Sequence, residues 1–122
     1  MPNPVVRWQI VSPEPEKVAT FYQKLFGWKP SNANALGYRE LVTEVKPPGP
    51  VDGGVWPAPP GTKSFLQIFV EVPDVERSIE KAIELGAKII VPKSVLPDGD
   101  TMAVLHDPTG LPFVVCRLKE SV

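Results

Sequence analysis

The sequence predicts an α+β fold in which two βαβββ modules form a cupped mixed sheet, and three observations support this prediction. The segment Pro13–Lys17 (PEPEK) returns 60 positions later as Pro73–Arg77 (PDVER). A short apolar run precedes each copy, and a segment with helical spacing follows it. A period that occurs only twice indicates two copies of one supersecondary unit, because arrays of short repeats need more copies to cover their apolar faces.

The repeat also predicts how the domain is organised. We expect one domain over residues 1–122, with a first module at about 5–56, a Pro/Gly-rich connection at about 46–63 and a second module at about 64–118. A four-stranded sheet with one helix leaves its other face uncovered, so the two modules must curl or pair to enclose that face. Pairing within one chain and pairing across two chains both satisfy this requirement.

The first module opens with a strand and a helix. Val5–Val11 alternates as a strand does, and Ser12–Glu14 has the hydroxyl, proline and acid of a helix start. The helix is expected to run to about Phe26 and to stop at Gly27. The apolar residues at helical spacing, which indicate one face, are Val18, Phe21, Tyr22, Leu25 and Phe26.

Three further strands complete the first module. Trp28 and Lys29 lead into the second strand, and Tyr38–Val45 is a β-rich run that predicts the third. Within the connection, Asp52–Trp56 is expected to form a short fourth strand near an edge of the sheet, since glycine and proline weaken central strands.

The second module repeats this order. Phe65–Val72 predicts its first strand, Asp74 a helix cap, and Gly86 the end of that helix. The turn residues Asp107–Gly110 predict a hairpin between the last two strands. The buried helix stripe is predicted at Val75, Ile79, Ala82 and Ile83, and the remaining strands at Lys88–Val91, Thr101–Leu105 and Leu111–Leu118.

Composition excludes several classes of function. A net charge of −1 and a pI near 5.8, without a basic stripe, make nucleic acid an unexpected partner. No apolar stretch approaches membrane-spanning length and the start lacks a cationic and apolar leader, so we expect a cytoplasmic protein without a membrane partner. The lone Cys116 excludes an internal disulfide and, with His106 as the single histidine, a Cys/His zinc cage.

In order and spacing, four motifs resemble the vicinal oxygen chelate superfamily, which includes glyoxalase I, extradiol dioxygenases and the fosfomycin- and bleomycin-resistance proteins. The motifs are the helix Val18–Trp28, the segment Val72–Glu76, the helix end Leu85–Ala87 and the turn Leu105–Gly110. The resemblance covers essentially the whole chain. It implies a glyoxalase/bleomycin-resistance-like fold, a site inside the cupped sheet and a homodimer.

Glyoxalase-like members of that superfamily hold a divalent metal on the first and last strand of each module. The corresponding positions here are Arg7, Gly54, Gln67 and Val114, that is, a permanent cation, no side chain, one amide and one alkyl group. A divalent cation needs several anionic or neutral lone-pair donors. We therefore expect no metal and no cofactor.

Strand alternation predicts which side chains enter the cup. Arg7 and Gln9 should point inwards while Trp8 and Ile10 pack on the helices. On the opening strand of the second module, Phe65, Gln67 and Phe69 should point inwards, and Leu66, Ile68 and Val70 outwards against their helix. The predicted ligand-binding residues are Arg7, Gln9, Trp56, Phe65, Gln67, Phe69 and Val114.

Two functions follow from this interpretation. The favoured one is a protein of the bleomycin-resistance type that binds a small, partly aromatic or anionic molecule, with Arg7 either available to the ligand or paired with a carboxylate. The internal carboxylates that could pair with it are Glu40, Glu44 and Glu71. The alternative is a glyoxalase-related lyase, isomerase or dioxygenase, either metal-dependent or using Arg7 with a carboxylate; no catalytic residue is assigned.

Overall fold

The computed structural model describes residues 2–33, 36–42 and 51–119. Within these residues the chain forms eight strands and two helices, which confirms the mixed α+β class. In chain order the elements are β1 (Val5–Ser12), α1 (Pro15–Phe26), β2 (Lys29–Pro30), β3 (Arg39–Val42), β4 (Gly53–Pro57), β5 (Phe65–Glu71), α2 (Val75–Glu84), β6 (Lys88–Val95), β7 (Thr101–His106) and β8 (Pro112–Arg117).

The chain divides into two compact units. The first unit is Arg7–Gln67, and the second unit combines Met1–Val6 with Ile68–Val122. In the first unit the strand order is β2-β3-β4-β1, with β1 parallel to β4 and β3 antiparallel to both β2 and β4. In the second unit the order is β5-β8-β7-β6, with β5 parallel to β8 and the other pairs antiparallel.

The predicted edge position of β4 is wrong, because β4 lies between β3 and β1. An aromatic ring packs against each of its two glycines. A Cβ atom at Gly53 would lie 2.1 Å from an indole carbon of Trp8, and one at Gly54 would lie 2.1 Å from the Tyr38 hydroxyl oxygen. Glycine is therefore retained in an interior strand, since any side chain would displace a ring.

The helix boundaries agree well with the predicted start and stop signals. Gly27 ends α1 in the left-handed region at φ 74°, and its N–H donates to the Gln23 carbonyl at 2.9 Å. Asp74 caps α2 as predicted, since its carboxylate accepts from the Arg77 N–H at 3.1 Å. The start of α1 differs from the prediction. The Ser12 hydroxyl accepts from the Glu14 N–H, and Glu14 itself lies before Pro15, the first residue of the helix.

Helix α1 buries only part of its apolar face. Its buried contact is the small Ala19, which lies in the core of the first unit with Leu41 and Val55. Val18, the neighbouring residue, is partly buried and packs against the same core. The stripe residues that are more than half exposed are Phe21, Leu25 and Phe26.

The described residues of the second unit form two core clusters. One joins α2 to the sheet and includes Val75, Ile79 and Leu105. The predicted stripe is correct for Val75 and Ile79, but Ile83 is half exposed and lies outside the core. Leu66 and Ile68 are also exposed, so the prediction that they pack against a helix is wrong. The β5 and α2 residues that do belong to this cluster are Val70, Val75, Ile79 and Ala82.

The hairpin between the last two strands is confirmed. β7 and β8 are antiparallel, and Gly110, at φ 93°, donates its N–H to the Asp107 carbonyl at 2.9 Å. Among the described residues, no helix is long and apolar enough to span a membrane.

The sequence repeat is also present in the pairing register of the strands. In the first unit Gln9 pairs with Gly54, and in the second unit Phe69 pairs with Val114, each 60 positions further along. The two units therefore repeat the same parallel pairing of first and last strands.

Candidate functional site

A line of residues crosses the strands of the first unit on one face of its sheet. Glu40 on β3 pairs with Gly54 on β4, and Gly54 pairs with Gln9 on β1. Side chains that are directly opposite on neighbouring strands share a face. Gln67 continues the line through a side-chain hydrogen bond to Gln9. We call these four residues the polar row; all four are positions that were singled out from the sequence.

The two amides of the polar row are bonded to each other. The Gln67 Nε2 donates to the Gln9 Oε1 at 2.8 Å, and the residues are only 6% and 7% exposed. A buried amide needs hydrogen-bond partners, and this pair supplies one bond to each. The prediction that Gln9 and Gln67 point to the same side is thus consistent with their contact.

The phenol of Tyr38 lies over the middle of the polar row. A Cβ atom at Gly54 would lie 2.1 Å from the Tyr38 hydroxyl oxygen and 2.3 Å from Cζ. The Trp56 ring packs on the phenol with centroids 5.8 Å apart and planes at 47°. The turn before Tyr38 is fixed by Gly37, which has φ 84° and lies against the Pro57 ring.

The surroundings of Tyr38 keep its hydroxyl protonated. Burial raises the pKa of Tyr38 above its ordinary value of 10.0, the charge of Arg7 opposes this shift, and Glu40 adds to it. The phenol is therefore a hydrogen-bond donor throughout the physiological range, and it lies within electrostatic reach of one guanidinium and one carboxylate.

The carboxylates proposed as internal partners of Arg7 have different positions. Glu40 is exposed on the polar row, and Glu44 lies outside the described residues. Glu71 belongs to the second unit, where its carboxylate accepts from the Leu118 N–H at 3.2 Å. Arg7 itself is half-buried at the start of the first unit.

The other predicted ligand-binding residues fall into two groups. Trp56 is half-buried and Phe65 is 37% exposed, both in the first unit. Phe69 and Val114 lie in a core cluster of the second unit and are 3% and 0% exposed. Cys116 belongs to the same cluster and is 2% exposed, so it packs as a small core residue.

The residues at the expected metal positions do not suit a divalent cation. Arg7 is a permanent cation, Gly54 lies beneath a protonated phenol, and Gln67 is bonded to a second amide. In the parts of the chain that the structure describes, no group of three or more His, Cys, Asp or Glu residues could hold a metal ion. A neutral, bonded amide pair is a poor substitute for carboxylate and imidazole ligands.

Comparison with known proteins identifies the family. The family model described as the glyoxalase-like domain matches residues 8–116. The chain belongs to the glyoxalase-like domain family. Two curated relatives, the candidate glyoxylases CFP32 of Mycobacterium bovis and of Mycobacterium tuberculosis, are each 26% identical over 94 residues, which is 74% of this chain. This glyoxalase-like domain spans 36% of the length of those relatives.

Solved structures share the fold of this glyoxalase-like domain. A hypothetical protein from Bacillus halodurans C-125 superposes with a TM-score of 0.70 at 18% identity, covering 100% of this chain and 99% of that chain. A glyoxalase/bleomycin resistance protein/dioxygenase superfamily member from Vibrio splendidus 12B01 gives 0.66 at 14% identity, covering 96% and 100%. A variant of Streptomyces coelicolor methylmalonyl-CoA epimerase, in complex with 2-nitronate-propionyl-CoA, gives 0.64 at 12% identity, covering 94% and 96%.

Tyr38 is the site residue that the sequence interpretation missed. Two signals point to it in retrospect: it has the same strand parity as Glu40, and Gly37 before it marks a turn that can aim its ring. Its contact with Gly54, across 16 positions of sequence, has no local signature.

Proposed function

We propose that this glyoxalase-like domain binds a small, partly aromatic or anionic molecule on the Tyr38 face of the first unit, and that it does so without a metal ion. The observation that carries the proposal is the protonated phenol of Tyr38, which lies over the bare backbone of Gly54 within electrostatic reach of Arg7. Gly54 corresponds to a position at which a metal-ligating side chain is expected in glyoxalase-like relatives. Here a neutral hydrogen-bond donor, the Tyr38 hydroxyl, covers it instead.

The chemistry of this face suits an anionic oxygen. The Arg7 guanidinium supplies a fixed positive charge, and the Tyr38 hydroxyl supplies a directed donor. Charge-assisted hydrogen bonds of this kind contribute about 1.5–3 kcal/mol each, which is about 10- to 100-fold in affinity. Together the two groups favour a carboxylate, enolate or phenolate.

Aromatic surface accompanies these donors. Trp56 packs on Tyr38 and is itself half-buried, and the Phe65 ring is partly exposed in the same unit. Flat rings stack well on such surfaces. Gln9 and Gln67 serve as polar anchors in this proposal, whereas Phe69 and Val114 contribute as packing in the second unit.

A solved structure of the same fold contains a bound small molecule. The solved Streptomyces coelicolor epimerase holds 2-nitronate-propionyl-CoA, a nitronate. That ligand belongs to the epimerase. It supports this proposal only in showing that the shared fold can hold a small molecule.

A thermal-shift screen of chelator-treated protein against aromatic acids tests the proposal. We expect stabilisation by at least one carboxylate, and a loss of about tenfold or more in its affinity in Tyr38→Phe and in Arg7→Met. Arg39→Met is the matched control, because Arg39 forms its ion pair with Glu16 and donates to the Ser31 carbonyl. Equal losses in all three variants would contradict the proposal.

The alternative function is a glyoxalase-related lyase, isomerase or dioxygenase. Glu40 favours it, because its exposed carboxylate and the Arg7 guanidinium each act electrostatically on the Tyr38 phenol, and a carboxylate of this kind can serve as a general base. The assay is turnover of the methylglyoxal–glutathione hemithioacetal, with and without added nickel or zinc. Turnover that depends on the metal would overturn metal-free binding.

We also propose that the protein is a cytoplasmic homodimer. The exposed apolar residues Phe21, Leu25 and Phe26 on α1 support self-association, since apolar side chains in such number on one helix favour a covering partner. Light scattering of the purified chain tests the dimer, and cell fractionation tests the location. A monomer at micromolar concentration would contradict the first.

A further inference from the structure

The amide pair of the polar row retains unused hydrogen-bonding groups of both kinds. Among the described residues, the side chains of Gln9 and Gln67 make a single hydrogen bond, from Gln67 Nε2 to Gln9 Oε1 at 2.8 Å. It leaves the amino group of Gln9 and the carbonyl of Gln67 for other partners. Turning both amides over exchanges the two roles, so the pair offers one donor group and one carbonyl acceptor in either arrangement.

These remaining groups are within reach of a small molecule. The two residues are 7% and 6% exposed, yet in the described parts of the chain no fully buried side-chain nitrogen or oxygen lacks a hydrogen-bond partner. The unused amide groups must therefore contribute to the small exposed fraction of each residue. A ligand that seats against the polar row meets a donor and an acceptor side by side.

We infer that the ligand carries an amide, with both its N–H and its C=O, in addition to its carboxylate; the chemical class is an N-acyl amino acid. This inference rests on the proposed function, in which Arg7 and Tyr38 bind the anionic group. Arg7 and Gln9 are two residues apart on β1, about 7 Å along the strand, so one small molecule can reach both anchors.

Hydrogen-bond complementarity favours an amide over simpler ligands. A carboxylate or a ketone offers acceptors alone, which satisfies the Gln9 amino group but leaves the Gln67 carbonyl without a donor. Sites built to hydrogen-bond an N–H reject analogues that lack it, because a desolvated polar group is left unpaired. The polar row should therefore distinguish an amide from its ketone analogue.

The experiment is calorimetric titration with two matched probes, hippurate and 4-oxo-4-phenylbutanoate. The probes share the phenyl ring, the carbonyl and the carboxylate, and differ only in the exchange of the N–H for a CH₂ group. We expect hippurate to bind wild-type protein about tenfold more tightly. N-methylhippurate, which keeps the nitrogen but lacks the N–H, should lose this advantage.

A variant links the preference to the amide pair. In the double variant Gln9→Leu/Gln67→Leu, the affinity for hippurate should fall to that for the keto acid. A preference that persists in this variant would overturn the inference. If the variant does not fold, the N-methylhippurate comparison on wild-type protein decides the question alone.

The outcomes separate this inference from the proposed function. Equal affinities of wild-type protein for hippurate and the keto acid, both weakened by Arg7→Met, would overturn the amide inference and leave anion binding in place. If neither probe binds while another acid of the thermal-shift screen does, the amide inference alone is overturned; if no acid of that screen binds, both proposals are overturned.

Discussion

The hydroxyl of Tyr38 lies against the backbone of Gly54, so closely that a Cβ atom there would be 2.1 Å from the oxygen. Gly54 is also the position at which glyoxalase-like relatives were expected to hold a metal ligand. The missing side chain and the phenol are linked, because the Tyr38 ring occupies the space that a side chain at Gly54 would need. The contact explains why this residue is glycine in an interior strand.

Substituting Gly54→Ala should displace the Tyr38 ring. We expect a loss of about 1–3 kcal/mol in the free energy of unfolding, because an added methyl group meets the rigid end of a phenol. In a Tyr38→Ala background the same change should cost at least about 1 kcal/mol less, since the obstacle is gone. Urea denaturation of the four proteins in this cycle measures the coupling, and additive costs would contradict the contact.

Gly53→Ala is the matched control for ligand binding. Gly53 faces the other side of β4, where a Cβ atom would meet the Trp8 indole at 2.1 Å. We expect a comparable loss of stability. Gly54→Ala should weaken binding of an aromatic acid in addition, whereas Gly53→Ala should not; calorimetry below the unfolding transition of both variants tests this difference.

The Gln9–Gln67 bond predicts a strongly non-additive pair of substitutions. Each single change to leucine leaves one largely buried amide without its partner, at a cost of about 1–3 kcal/mol. The double change replaces both amides by alkyl groups and should cost less than the sum of the singles. Chemical denaturation provides the four free energies, and a double variant as unstable as that sum would contradict the pairing.

The raised pKa of Tyr38 predicts how stability depends on pH. The folded state holds the phenol proton more tightly than the unfolded state, whose pKa is near 10.0. The stabilising contribution is therefore complete below about pH 10 and is lost as the pH rises through the folded pKa. Above that pH, the free energy of unfolding should fall more steeply in wild-type protein than in Tyr38→Phe, and parallel curves would contradict the shift.

Asp107 in the hairpin turn predicts the opposite pH dependence. Hydrogen bonds from the Thr109 hydroxyl, at 2.6 Å, and from backbone N–H groups lower the pKa of Asp107 below 3.8. Its contribution to stability is present above pH 3.8 and is lost as the pH falls through the folded pKa. In an NMR titration of the carboxyl carbon, Thr109→Val should raise this pKa and Thr109→Ser should leave it low.

Much of the fold was predictable because its signals are local. Gly27, Asp74 and Gly110 mark helix and turn boundaries through backbone conformation and capping, which depend on a few neighbouring residues. The repeat was also visible, and the pairing of Gln9 with Gly54 and of Phe69 with Val114 preserves its spacing of 60.

The remaining features depend on contacts between distant residues. The repeat does not hold throughout: Glu40 pairs with Gly54 but Val104 pairs with Val114, a spacing of 64 between the third strands. The interior position of β4 depends on two rings that cover its glycines, and the amide bond joins residues 58 positions apart. Alternation indicated the face of Gln9 and Gln67 but not their bond.

The most direct test is the ¹³Cζ resonance of Tyr38 in tyrosine-labelled, chelator-treated protein during titration with hippurate. The chain has two tyrosines, and Tyr22, which packs among Phe21, Phe26 and Trp28, is the internal control. Metal-free binding predicts a saturable shift of Tyr38 alone. A Tyr38 resonance that stays in place at saturating acid, or that moves only after nickel or zinc is added, would contradict it.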